Sequence, residues 1–312
     1  MDRIEAMRVF VAALDEGSLA GAGRKLGRSP AAVSRAIAFL ENHVGAELLH
    51  RTTRSLRLSE AGERYAAACR RVLVDLEEAD LIALGERSAP RGTLTLTAPP
   101  ISGEEILHPI IDAFLDAYPA VAVNLLLLDR HANLVEEGID VALRVGQLPD
   151  SAMVAVRVGG DVKRVIVAAP RYLDRHPRIL EPGDLTQHRI VTTTHFGHDT
   201  WVFPPAPGGA IARSVHFKPR LVVNSVRAAL ASAVDGQGVT RLYTYHVAEQ
   251  VRDGSLRILL RDAEPPPLPV HLLTPQGRTA VPKVRAFLDF AAPRLRAAFA
   301  RLSAEAGALG AA

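Results

Sequence analysis

The chain has a single cysteine, Cys69, among its 312 residues. That excludes an internal disulfide and most cysteine-built metal sites. Aromatic residues make up only 5% and the formal net charge is only +3. Nucleic-acid binding therefore cannot be argued from global charge and needs a local patch. Long apolar runs are missing too. The longest largely aliphatic stretch, residues 121–128, is far short of the ~20 residues that span a bilayer, so no membrane partner is expected. The start, Met1-Asp2-Arg3-Ile4-Glu5, lacks the basic flank and apolar run of a secretory signal, which points to the cytoplasm. There is no Gly-x-Ser-x-Gly elbow, P-loop or glycine-rich dinucleotide turn, which makes an enzyme the weaker class. What is present is a chain with 48% hydrophobic residues, long enough for two or three compact domains.

The most informative segment is 18–37. Met7, Phe10, Val11 and Leu14 predict a first helix. Ser18 then caps a second, which packs through Leu19, Ala22 and Leu26 and closes at Gly27. Ser29-Pro30 reads as an N-cap followed by proline at the first helical position. Val33, Ile37 and Leu40, with Ala36 between them, form the buried stripe of this third helix, leaving Ala31, Ala32, Ser34 and Arg35 largely on its other side. Ser18 and Pro30, at the helix starts, join Ala31, Ser34 and Arg35 as candidate DNA contacts. Two short helices about a tight break form a helix-turn-helix, whose second helix can enter the DNA major groove. Serine and arginine suit phosphates or base edges. Taken alone, an ordinary exposed helix face stays equally open.

The next segment shifts that balance. Residues 48–58 read as two short strands around a basic turn, a wing carrying Arg51, Thr52, Arg54 and Arg57. Between Arg24 and Arg71 the acids are only Glu41, Glu47, Glu60 and Glu63, so the stretch is locally positive. The run from Met7 to Gly62 resembles the winged helix-turn-helix of LysR-type transcriptional regulators. The resemblance rests on Ala32-Val33-Ser34-Arg35, Leu40-Glu41, Gly45, Glu47-Leu48-Leu49-His50-Arg51-Thr52 and Leu58-Ser59-Glu60-Ala61-Gly62. It implies DNA contacts at Ser34, Arg35 and Arg54, and double-stranded DNA as partner. Two positions depart from the commonest pattern, which has glutamine where this chain has Pro30 and Ala36.

From Ser59 to about Gly85 no proline occurs, and Ala61, Tyr65, Ala68, Val72, Leu76, Ala79 and Ala83 keep near-heptad spacing. Such a seam favours pairing with a second helix, against packing on its own chain. The resemblance implies a dimer through this helix, dimers that can pair into tetramers, RNA polymerase as a further partner and a place at the nucleoid. The domains then read as 1–59, a winged helix-turn-helix; 60–89, a linker helix and hinge; 90–302, an α/β domain; and a tail, 303–312.

In 90–302 strands alternate with helices, predicting an open α/β fold. Strands are read at 93–97, 121–128, 140–145, 153–158, 162–168, 189–193, 220–223, 239–242 and 268–272. Helices are read at 104–118, 132–137, 226–235 and 281–299. Two crossings give lobe I (90–162 and 267–302) and lobe II (163–266), which resembles the periplasmic-binding-protein-like effector domain of the same family. Ligands sit beyond the carboxyl ends of strands. That nominates Pro100, Ile101, Ser102, Asp129 and Arg144 in lobe I, and Thr194, His195, Asn224, Ser225 and Thr240 in lobe II. The implied ligand is an unidentified small-molecule effector, with no cofactor. His195, His198 and Asp199 lack a convincing third partner for a metal. The alternatives are a solute-binding protein, which shares this fold but lacks the N-terminal module, and a cytoplasmic enzyme on an α/β scaffold.

Overall fold

Three serines start three of the first four helices. In the computed structural model the described residues are 2–51, 56–83, 89–130, 132–148, 153–194, 199–206 and 208–308. After α1 (Arg3–Asp15), the Ser18 hydroxyl accepts the Gly21 N–H at 3.0 Å and opens α2 (Leu19–Leu26). Gly27 ends α2 in the left-handed region at φ 64°, a conformation that costs glycine little. Ser29 caps α3 (Pro30–Val44) through the Ala32 N–H at 3.2 Å. Ser59 does the same for α4 (Glu60–Ala83), accepting the Gly62 N–H at 2.9 Å.

Between α3 and α4 a two-stranded ribbon, β1 (Leu49–Arg51) and β2 (Leu56–Leu58), pairs antiparallel with Leu49 opposite Leu58. Glu41 near the end of α3 accepts the N–H groups of Leu48 and Leu49 at 2.9 and 3.2 Å, which fixes the ribbon to the helix. Gly62 lies against the Leu48 carbonyl, so no side chain fits there. Phe10, Val33, Ala36, Ile37, Leu40 and Leu48 form the core of this unit, which extends to Ala66 and Cys69 of α4. Leu26, expected to pack, is 37% exposed instead, because the eight-residue α2 turns its small residues Gly21, Ala22 and Gly23 inward.

A second unit starts at Ala89. Its elements are β3 (Gly92–Ala98), α5 (Pro100–Ser102), a π-helical turn (Gly103–Leu107), α6 (His108–Ala117), β4 (Val121–Leu127), β5 (Val141–Val145), β6 (Met153–Val162) and β7 (Arg164–Ala168). Then follow α7 (Pro170–Leu173), a 3-10 turn (Pro182–Gln187), β8 (Val191–Thr193), β9 (Thr200–Phe203), β10 (Arg213–His216), β11 (Leu221–Val223), α8 (Val226–Val234) and β12 (Thr240–Tyr243). The chain closes with α9 (Thr244–Arg252), β13 (Arg257–Leu259), a 3-10 turn (Arg261–Ala263), β14 (Leu268–Pro275), another (Arg278–Ala280), and α10 (Pro282–Ala308).

Apart from β9 and β10, which pair with each other as an antiparallel hairpin, the strands of this unit follow one plan twice. Lobe I has the order β4-β3-β5-β14-β6, with β3, β4 and β5 parallel and β14 antiparallel. Lobe II repeats it as β11-β8 and β12-β7-β13, joined by a parallel bridge between Ile190 and Val239, with β7 antiparallel. The chain crosses at Lys163, between β6 of one sheet and β7 of the other, and returns between β13 and β14. A 3.3 Å ion pair from Lys163 to Glu264 ties the two crossings. In lobe I the carboxylate of buried Asp140 accepts the Thr95 N–H at 2.8 Å and pairs with Arg278 at 2.6 Å and Lys283 at 3.6 Å. Lys283 also donates to the Thr93 carbonyl, so the first strand, the turn before α10 and α10 itself meet at one charge cluster.

Two local expectations fail. Residues 132–137 make a turn and no helix: Asn133 and Glu137 side chains take up backbone N–H groups, and Gly138 turns the chain out at φ 66°. The helix expected from Glu104 begins at Pro100, four residues earlier in the chain.

Candidate nucleic-acid interface and ligand cleft

The exposed side of α3 carries Pro30, Ala31 and Arg35, with Ser34 half-buried beside them. Pro30 occupies the first helical position, where its missing N–H has no partner to lose. Ala36 is fully buried in the core, so this position packs and cannot face a base. Of the two departures from the expected pattern, only Pro30 changes the exposed face. The Ser18 hydroxyl is engaged as a cap.

The arginines divide into two groups. Arg28 pairs with Glu5, Lys25 with Glu16, Arg64 with Glu60 and Arg70 with Asp15. Among the described residues Arg35 and Arg57 enter no ion pair. Arg57 stands directly across from His50 in the wing, both exposed, while Leu49 and Leu58 turn inward. His50 thus joins the basic face. The backbone of Arg51 lies in β1; Thr52 and Arg54 lie outside the described residues.

In the second unit, the carboxyl ends of β3, β4 and β5 bring together Pro100, Ile101, Ser102, Asp129 and Arg144. Ser102 is fully buried, donating to the Pro99 carbonyl at 3.2 Å. Arg144 donates to the Leu143 carbonyl at 3.1 Å, while its second terminal nitrogen is buried without a partner. Burial pushes this guanidinium down from its ordinary value and nearby Asp129 opposes that. From lobe II, Thr194 and Asn224 follow β8 and β11 and are exposed; Ser225 caps α8 through the Ala228 N–H at 3.3 Å. Thr240 does not join them: it opens β12, whose carboxyl end is Tyr243. His195 and His198 lie outside the described residues.

Three residues not singled out in the sequence complete the cleft. Arg227 on α8 reaches across to lobe I, bonding Glu104 and, at 3.1 Å, Glu105. Tyr245 on α9 is buried near Ser102 with an unpartnered hydroxyl; burial pushes its phenol strongly up, Tyr243 adds to this and the Ser102 hydroxyl opposes it. Buried Thr193, at the end of β8, also has an unpartnered hydroxyl. None of the three was legible as periodicity or motif. Arg227 and Glu104 are 123 residues apart. Among the described residues no cluster of three metal-ligating side chains occurs, and no helix is long and apolar enough to cross a membrane.

Residues 4–63 match the family described as bacterial regulatory helix-turn-helix protein, lysR family, and residues 87–296 match the LysR substrate binding domain. An HTH-type transcriptional regulator of Xanthomonas campestris pv. campestris is 33% identical over 92% of this chain and 84% of that protein. The full-length structure of AphB, a virulence activator of Vibrio cholerae, is similar with a TM-score of 0.61 and 26% identity, over 93% of this chain and 98% of that one. CrgA of Neisseria meningitidis is similar with a TM-score of 0.58 and 27% identity, over 93% and 98%.

Proposed function

Because the chain belongs to the LysR family of transcriptional regulators, we propose that it binds operator DNA through Ser34 and Arg35 of α3 and Arg57 of the wing. In this reading a small-molecule effector held between the lobes modulates that binding. The observation that carries the effector site is a set of buried, unpartnered polar atoms at the inter-lobe strand ends: the Tyr245 hydroxyl, the Thr193 hydroxyl and an Arg144 nitrogen. Leaving such groups unsatisfied costs about 1–3 kcal/mol each, which a polar ligand that bonds them recovers. Effector occupancy then shifts the lobe arrangement that Arg227 now latches.

Pairing of two copies through α4 supplies two recognition helices to a two-fold operator. Val72 is 44% exposed and Ala79 is exposed too, whereas Tyr65, at the same seam, packs against Phe10 in its own core. The lower half of α4 is therefore the half available to a partner, and dimers so formed can pair into tetramers. At a promoter in the cytoplasm RNA polymerase is the further partner.

A mobility shift with DNA flanking its own gene tests the reading. A salt-sensitive complex is expected, and its absence with any candidate promoter overturns it. Arg57→Ala weakens binding on every sequence and lowers the salt slope by about 1. Arg35→Ala changes the sequence preference; equal losses on all operators refute a base contact for Arg35.

A further inference from the structure

On the lobe II sheet, Arg164 of β7 stands directly opposite Tyr243 of β12, and Arg241, two residues before Tyr243, lies on the same face, diagonal to Arg164. Val165, Val167 and Leu242 alternate to the other face, where Ala229 and Ala233 of α8 cover them. The arginines therefore sit on the opposite face of this sheet from α8, the face on which Ile166 packs with Trp201 and Phe203 of the β9–β10 hairpin. Arg241 is 5% exposed. Its guanidinium lies 6.0 Å from the Trp201 ring centroid and 5.3 Å from that of Phe203. It has one hydrogen bond, to the Val202 carbonyl at 3.2 Å, and its Nε is buried without a partner. The Arg164 Nε and the Trp201 Nε1 are likewise buried and unpartnered.

All three of these orphan atoms are donors. Among the described residues neither arginine enters an ion pair, and a buried cation without one is strongly disfavoured. Burial, reinforced by the neighbouring charge of Arg164, brings Arg241 down to about 10. What would complete the cluster is an acceptor with negative charge and more than one oxygen, because a guanidinium binds such groups with two parallel N–H bonds. We propose that Arg241, Arg164 and Trp201 form a second small-molecule site, on the hairpin-covered face of the lobe II sheet, that takes an oxyanion, either a carboxylate or an inorganic oxyanion such as phosphate.

The chain has one tryptophan, Trp201, so its emission reports on this site directly. Full-length protein is titrated with benzoate and, separately, with inorganic phosphate, at constant ionic strength made up with chloride. A saturable change in Trp201 emission is expected with at least one of them, with a rise in Tm of roughly 5–10 °C at a hundredfold excess over Kd. A response to benzoate alone identifies a carboxylate ligand, and a response to phosphate alone an inorganic one. Arg241→Met abolishes the response, and Arg164→Gln, at a half-buried and more tolerant position, weakens the Kd at least tenfold. Tyr245→Phe, in the inter-lobe cleft, leaves it intact. The proposal is overturned if neither anion acts beyond chloride, if Arg164→Gln responds like the wild type, or if Tyr245→Phe abolishes the response.

Discussion

Replacing Asp140 by asparagine keeps the shape of a buried side chain and removes the charge on which lobe I converges. The carboxylate is 4% exposed, Lys283 7% and Arg278 22%. Its two oxygens accept from the Thr95 N–H and from Arg278. An amide has one oxygen, so its NH2 must face a donor. Breaking a buried ion pair from one side costs about 3–5 kcal/mol. Arg278 can turn to water and Lys283 keeps the Thr93 carbonyl, which places the loss at the lower end, about 3 kcal/mol. In a unit of this size that lowers Tm by roughly 6–12 °C. Urea unfolding followed by Trp201 emission is the assay, and the midpoint should fall with an unchanged slope. Lys283→Met in the same background should restore part of the loss, a coupling of at least ~1 kcal/mol. A loss below ~1 kcal/mol, or strict additivity of the two changes, would refute this account of how the lobe is held.

Gly62→Ala tests the junction of wing and α4: in a free helix it stabilises by ~1 kcal/mol, but here the new Cβ overlaps the Leu48 carbonyl, so the N-terminal unit should lose stability, and a gain in its unfolding midpoint would show the contact to be soft. Burial, with Arg227 adding to it, pulls His246 down to about 3 from the ordinary value near 6.5. The unfolded chain therefore takes up this proton first. Stability from this group is complete above pH ~6.5 and falls as pH drops toward 3, by up to ~1.4 kcal/mol per unit. His246→Asn, which keeps an acceptor for the Tyr243 N–H, should flatten that acid limb in denaturation curves stepped from pH 6.5 to 4; an unaltered slope would contradict it. The Arg227 latch is half exposed, so its loss in Arg227→Ala is worth about 0.3–1 kcal/mol. That changes the ratio of open to closed lobes roughly two- to fivefold, measured as a shift in inter-lobe distance between paired spectroscopic labels, and an unmoved distribution would exclude a latch.

The N-terminal unit was largely legible because its signals are local. Ser18, Ser29 and Ser59 cap helices within three residues, and Val33, Ile37 and Leu40 repeat at helical spacing. The charge of that unit was less legible: Arg28 and Arg70 count toward a basic patch in the sequence, but their carboxylates lie 23 and 55 residues away. The same distance problem hid the cleft. Arg227, Glu104 and Tyr245 meet only once two lobes are built, and Thr240 was nominated on a strand that in fact runs on to Tyr243. The β9–β10 hairpin went unread because Pro204 and Pro205 interrupt the alternation of Trp201 and Phe203 before Val215 resumes it.

The exchange of strands between lobes sets an order of assembly on the ribosome. Lobe I starts first, at Gly92, yet its sheet receives β14 between β5 and β6 only after residues 268–275 have been made. Every strand of lobe II lies between Arg164 and Leu259. Synthesis proceeds from the N-terminus, so the lobe begun second has all its strands first. Until β14 arrives, β5 and β6 each present an open edge, the template on which chains aggregate. A nascent chain of this protein is thus most exposed to mispairing while its second lobe is already complete.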